Sequence, residues 1–127
     1  MVDPQVNITF PKSNSVSLDY SLELDEVLTC WQGEVGTVYN IHCSSINLSN
    51  LNVSEEIVVY ENHGNSQKNP SVSATGHSTY LVGWEDERNG NYSDLYIQEI
   101  RFGQTLMEYG GKILCNAFFN QYNPQFS

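Results

Sequence analysis

Apolar and polar residues alternate with a period of two along much of this chain, most clearly between Tyr80 and Ile100. Tyr80, Val82 and Trp84 interleave with Leu81, Gly83 and Glu85, and Leu95, Ile97 and Glu99 interleave with Asp94, Tyr96, Gln98 and Ile100. That period, carried by aromatic and branched side chains, suits pleated strands and not a helix. Asn89-Gly90 lies between the two runs and tolerates the positive φ angles of a tight turn, so the stretch predicts a β-hairpin. No sustained 3.6-residue stripe occurs, and glycines 36, 76, 90, 103, 110 and 111 mark strand ends.

The pattern repeats. Val27–Gln32 echoes Tyr80–Glu85, and Asn40–Ile46 echoes Asp94–Ile100. A further strand is predicted after each hairpin, at Glu56–Tyr60 and at Lys112–Asn116. Three short stretches, 13–17, 69–73 and 123–127, match at spacings of 56 and 54 residues and read as lead strands. Val2–Phe10 resembles a closing strand detached from its own repeat. The chain therefore divides into an N-terminal strand (1–12), a first unit (13–66), a second unit (67–122) and the start of a next one (123–127). Four antiparallel strands at this period indicate an all-β fold of two propeller-blade-like repeats plus one permuted strand.

Composition narrows the setting. Fifteen acids against five bases give a net charge of −10. This argues against nucleic acid and anionic membrane surfaces as partners, since both require a basic footprint. No apolar run approaches the roughly 20 residues of a membrane span, and the first residues do not read as a signal peptide. The Asn- and Ser-rich, lysine-poor composition fits an extracellular or cell-surface protein. Four Asn-x-Ser/Thr sequons, at Asn7, Asn47, Asn52 and Asn91, fit the same setting and are candidate glycosylation sites.

Trp84-Glu-Asp-Glu-Arg-Asn-Gly-Asn followed by Asp94-Leu-Tyr-Ile-Gln98 resembles the Trp-x-Asp-x-Arg-Asn-Gly…Asp-Ile-Tyr-x-Gln repeat of secreted and cell-surface β-propeller-like proteins. The second unit carries the motif. The first departs from it, with Gln32, Gly33 and Glu34 in place of the charged run, Asn40 for Asp94 and His42 for Tyr96. The resemblance implies blade-type sheets and little about activity, because such propellers serve as scaffolds, adhesins and accessory domains. Two blades do not close a ring of the usual four to eight. Copies of the chain completing one another, with an N-terminal strand filling a neighbour's sheet edge, or a fragment of a longer chain, are the ways out.

Candidate chemistry is sparse. Pairing strands about the first turn sets Trp31 opposite His42 and Cys30 opposite Cys43, while the second unit sets Trp84 near Tyr96 and Gly83 near Ile97. A cross-strand Cys30–Cys43 disulfide is therefore favoured over two buried thiols. Cys115 is left as a buried thiol or an intermolecular link. The charged turn Glu85–Asp94 is expected to be structural, with Asp86 and Asp94 accepting from turn amides and pairing with Arg88. Calcium and paired-carboxylate hydrolysis are weaker readings of the same residues. Trp31 and Trp84 are expected in the core, with sugar stacking the minor alternative, and Tyr92, Tyr109 and Tyr122 near turns. Histidines 42, 63 and 77 form no triad or ligand spacing, so no cofactor or metal is expected. The functional expectation is a non-catalytic extracellular structural protein that assembles with copies of itself, a glycosylated fibre being one form of the assembly. The alternatives are a carbohydrate-binding lectin module and a fragment of a propeller domain from a larger secreted enzyme.

Overall fold

The computed structural model describes residues 13–61, 64–90 and 92–115. They form nine β-strands: β1 (Ser13–Ser21), β2 (Glu26–Val35), β3 (Val38–Asn47), β4 (Ile57–Tyr60), β5 (Gln67–Ala74), β6 (Tyr80–Asp86), β7 (Asp94–Arg101), β8 (Gln104–Thr105) and β9 (Lys112–Cys115). The fold is all-β, and no helix occurs among the described residues. Sheet 1 runs β1-β2-β3-β4. Sheet 2 runs β5-β6-β7, with both β8 and β9 on the outer side of β7. All pairings are antiparallel, as short connections between sequential strands require. The N-terminal strand at 1–12, the stretch 123–127, and Asn7, Asn91, His63 and Tyr122 lie outside the described residues.

Two features depart from the sequence pattern. The short β8 is a fifth strand in sheet 2, made by a two-residue reversal in which Phe102 (φ 50°) and Gly103 (φ 77°) both take the left-handed region. Asn89-Gly90 does not make the tight hairpin turn. β6 and β7 are joined by residues 87–93, and Gly90 closes an internal turn by donating its N–H to the Glu87 carbonyl (2.9 Å). The tight turn belongs instead to the first hairpin, where Gly36-Thr37 connect β2 to β3.

The two sheets share one register. Trp31 pairs with His42 and Cys30 with Cys43, while Trp84 pairs with Tyr96 and Gly83 with Ile97. Each lead strand slips register at the same place, between Ser13 and Val16 in β1 and between Lys68 and Ser71 in β5. The closing strands also slip alike, opposite Ile41/His42 and opposite Leu95/Tyr96. A bulge leaves one residue unpaired and bends the strand, so repeating it in both sheets gives them one shape. The shared register also corrects two sequence alignments. Leu18 pairs with Thr29 as Val72 pairs with Val82, so the lead strands correspond two residues away from the 13–17 and 69–73 match. Ile57, not Glu56, is the counterpart of Lys112, and Val59 of Leu114.

The sheets stack face to face. Leu28, Cys30, Ile41, Cys43 and Val59 of sheet 1 meet Val72, Tyr80, Val82, Trp84 and Ile100 of sheet 2 in one buried cluster. The free edge of β5 is capped by side chains of sheet 1. Its N–H groups at Asn69, Val72 and Ala74 donate to Gln32 Oε1 (2.9 Å), Ser17 Oγ (3.1 Å) and Asp19 Oδ2 (2.7 Å). Unpaired edge amides buried without acceptors would be costly, so the polar Ser17 and Asp19 of β1 satisfy the seam. Tyr80 spans it in the other direction, donating its hydroxyl to the Glu26 carbonyl (3.1 Å).

Candidate functional site

The charged loop after β6 closes on itself and on the other sheet. Asp86, fully buried at the end of β6, accepts the Trp84 indole N–H at Oδ2 (2.7 Å), the Arg88 N–H at Oδ1 (2.8 Å) and the Arg88 guanidinium at Oδ2 (2.7 Å). Arg88 Nη2 also donates to the Gly110 carbonyl (2.8 Å). Its guanidinium lies between the Tyr60 ring of sheet 1 (3.9 Å) and the Tyr96 ring of sheet 2 (3.7 Å). Burial alone would weaken its charge, but the hydrogen bond and charge of Asp86 outweigh that and hold its pKa above the ordinary value. Arg88 is thus a planar clip between two sheets, a task matched to guanidinium geometry. Asp94 is not part of it: its Oδ2 accepts the Asn89 side-chain amide (2.6 Å), where the sequence pattern expects a pairing with Arg88.

Gly110 and Gly111 let the β9 approach pass under this clip. Both have positive φ, 86° and 74°, and a Cβ on Gly111 would collide with the Ile97 carbonyl oxygen and stand 3.0 Å from the Trp84 ring. Tyr109 adds to the seam, its ring 5.3 Å from that of Tyr60 and its hydroxyl accepting the Glu61 N–H (3.3 Å).

In sheet 1 the corresponding hairpin is held by the Cys30–Cys43 disulfide, fully buried, with Cα atoms 4.1 Å apart. Such a bond persists in oxidising compartments. Trp31 is buried outside the main cluster and stacks on His42 (6.0 Å, 16°), as Trp84 stacks on Tyr96 (6.4 Å, 19°). His42 Nδ1 faces the Glu56 carboxylate, and its ring lies over Gly33, where a Cβ would come 2.9 Å from it.

The remaining candidates stay apart. Asn47 is the last residue of β3, and its Oδ1 accepts the N–H groups of Ser49 (2.9 Å) and Asn50 (3.2 Å). Asn52 is exposed on the loop beyond it. Tyr92 and His77 lie on separate loops, and the Cys115 side chain is not described. An open groove runs between Ser54–Ile57 and Phe102–Gln104, with Glu55 and Glu56 on one wall. No group of three or more His, Cys, Asp or Glu able to hold a metal occurs among the described residues. No helix there is long and apolar enough to cross a membrane.

The outer faces carry a signal that motifs do not. Val16, Leu18 and Tyr20 point away from sheet 2 and are exposed, while the polar Ser17, Asp19 and Ser21 point toward it. The alternation itself is legible in the sequence, but which side of it meets the partner sheet is not. On the far side of the molecule Leu114 is exposed as well. No family model, curated protein or solved structure matches the chain.

Proposed function

We propose that this protein is a non-catalytic structural subunit that self-associates through its sheet faces, working in an oxidising, extracellular setting. One observation carries the reading. Leu18 of β1 is 62% exposed, whereas Val72, its counterpart in β5, is 8% exposed because sheet 1 covers it. Flanked by Val16 and Tyr20, Leu18 forms an exposed apolar row along β1, the edge strand of sheet 1. The charged loop, the best chemical candidate, supports the same reading, since Asp86 and Arg88 are engaged in joining the two sheets. The disulfide is consistent with secretion, and exposed Asn52 is compatible with a glycan. Residues 1–12, read from sequence as a strand, supply an additional edge contact between copies.

Sedimentation velocity over a hundredfold range of concentration tests the proposal. The expected outcome is a mass that rises with concentration, and falls toward the monomer for Leu18→Lys with the far-UV circular dichroism unchanged. A protein that stays monomeric throughout sinks it. Deleting residues 1–12 is expected to weaken the association, measured the same way.

A further inference from the structure

Among the described residues the two sheets end at β1 and β4, and at β5 and the pair β8 and β9. β4, β8 and β9 are four, two and four residues long, too short to template much pairing. β5 is longer, but side chains of sheet 1 cap its outward N–H groups at Asn69, Val72 and Ala74. β1, with nine residues, is different. Its Tyr20 N–H is held by Asp19 Oδ1 (2.9 Å), which turns it away from β2. Alternate residues of an antiparallel strand face the same side, so Val16 and Leu18 also present their N–H and C=O groups outward. The other repeat agrees: Leu18 matches Val72 and Tyr20 matches Ala74, whose N–H groups point away from β6. β5 reaches β1 through the Ser17 and Asp19 side chains and not through its main chain, which leaves that edge clear. Val16 and Tyr20 are 48% and 42% exposed there. The centre of the same outer face is closed, with Thr29 3% and Trp31 7% exposed, so a partner meets β1 along its edge and not by lying across the sheet.

We infer that two copies join β1 to β1, antiparallel about a two-fold axis at Leu18, so that sheet 1 runs on from one molecule into the other. The inference rests on the self-association reading, and it fixes the contact at a strand edge and closes it at a dimer. A second copy is the occupant because β1 is complementary to itself in this register. Leu18 meets Leu18, each N–H donating to the other carbonyl, while Val16 meets Tyr20 and Ser17 meets Asp19. Apolar residues stand opposite apolar ones, and no like charges face each other across the seam. The Val16 N–H of one copy donates to the Tyr20 carbonyl of the other, and Asp19 keeps the Tyr20 N–H. The two exposed rows then lie side by side. Such a contact is isologous: each edge is covered by the other, and no open template is left for further growth.

Sedimentation of the wild type is expected to show a species of twice the monomer mass and nothing larger. Leu18→Pro removes the edge N–H and leaves the ladder to β2 intact, since proline is tolerated where an edge N–H faces outward. It is expected to be monomeric at concentrations where the wild type is a dimer, with far-UV circular dichroism unchanged. The register has its own test. Val16→Lys and Tyr20→Glu are each expected to weaken the dimer, and the double variant to restore it, because the lysine of one copy then stands opposite the glutamate of the other. The charge pair decides alone if the proline variant does not fold. A folded Leu18→Pro that dimerises as the wild type does overturns edge pairing while self-association stands. A double variant no better than the weaker single one overturns the antiparallel register, and species beyond the dimer overturn the closed two-fold contact. A wild type that stays monomeric overturns the self-association reading as well.

Discussion

Sheet 1 and sheet 2 hold the same register, with bulges in the same two places, yet their hairpins are secured by different chemistry. The first has a two-residue turn at Gly36-Thr37 and a buried disulfide between directly opposed strands. The second has a longer loop over residues 87–93, no disulfide between its Gly83 and Ile97, and the Asp86–Arg88 clip. Both keep a tryptophan stacked on the ring opposite it. What the two share is therefore the strand pattern, the bulges and the stacked pair. The turn and the covalent or ionic brace are interchangeable, because either one holds two strands whose pairing is already set by the pleat.

The tryptophans give the strongest way to separate the repeats. Trp84 is fully buried in the core between the sheets, and its indole N–H satisfies Asp86. Trp84→Ala is expected to cost about 3–5 kcal/mol, the range for a large aromatic removed from a core. Trp31 lies outside that cluster, so Trp31→Ala is expected to cost about half as much. Urea denaturation of both variants measures the difference, and equal losses would show that the outer face of sheet 1 is packed as tightly as the inner one.

Arg88 comes next. Arg88→Ala leaves the buried Asp86 carboxylate without its counter-charge and removes the ring sandwich between Tyr60 and Tyr96. A loss of about 3 kcal/mol is expected, as for other buried pairs broken from one side. Arg88→Lys should recover little of it, since an ammonium cannot lie flat between two rings while reaching both Asp86 and Gly110. A lysine variant of wild-type stability would reduce the clip to a simple charge pair. The matching change in sheet 1, Cys30→Ala with Cys43→Ala, is expected to cost about 2–3 kcal/mol by releasing a short loop in the unfolded chain. Thermal melts with and without reductant check it.

The alternation of Tyr80–Trp84 and Leu95–Ile97 makes the hairpins, their register and the Cys30–Cys43 bridge legible from the sequence, because period and register are both local properties. Lead and closing strands are legible too, but their alignment between repeats is not, since a bulge inserts a residue that no pattern of apolar positions records. The role of Arg88 is half legible. Its pairing with Asp86 follows from spacing in one loop, but Tyr60 lies 28 positions away on another sheet. The exposed row at Val16, Leu18 and Tyr20 is visible as an alternation, yet period alone does not say which side of a strand meets its partner.

Glu26 offers the smallest effect and a test of the seam by pH. It opens β2 beneath Tyr80, and burial raises its carboxyl pKa, a rise that the Tyr80 hydroxyl partly offsets. Burial, and then the Glu26 charge, also push the Tyr80 phenol well above its usual range. A carboxyl whose pKa is raised on folding binds its proton more tightly in the folded chain than in the unfolded one. Its contribution to stability is therefore full below the unfolded glutamate value and is lost as pH rises through the folded one. Glu26→Gln removes the ionisation while keeping the shape. At pH 7 the variant is expected to be more stable than the wild type by about half a kcal/mol, the scale of a partly solvated site. At pH 4, where the wild-type carboxyl is largely protonated in the folded state, the gap should narrow. Tyr80 lies in sheet 2 and Glu26 in sheet 1, so this dependence reads the contact between the repeats and not the strength of either. A gap that stays constant from pH 4 to pH 7 would place Glu26 in solvent and leave the seam to the side chains that cap β5.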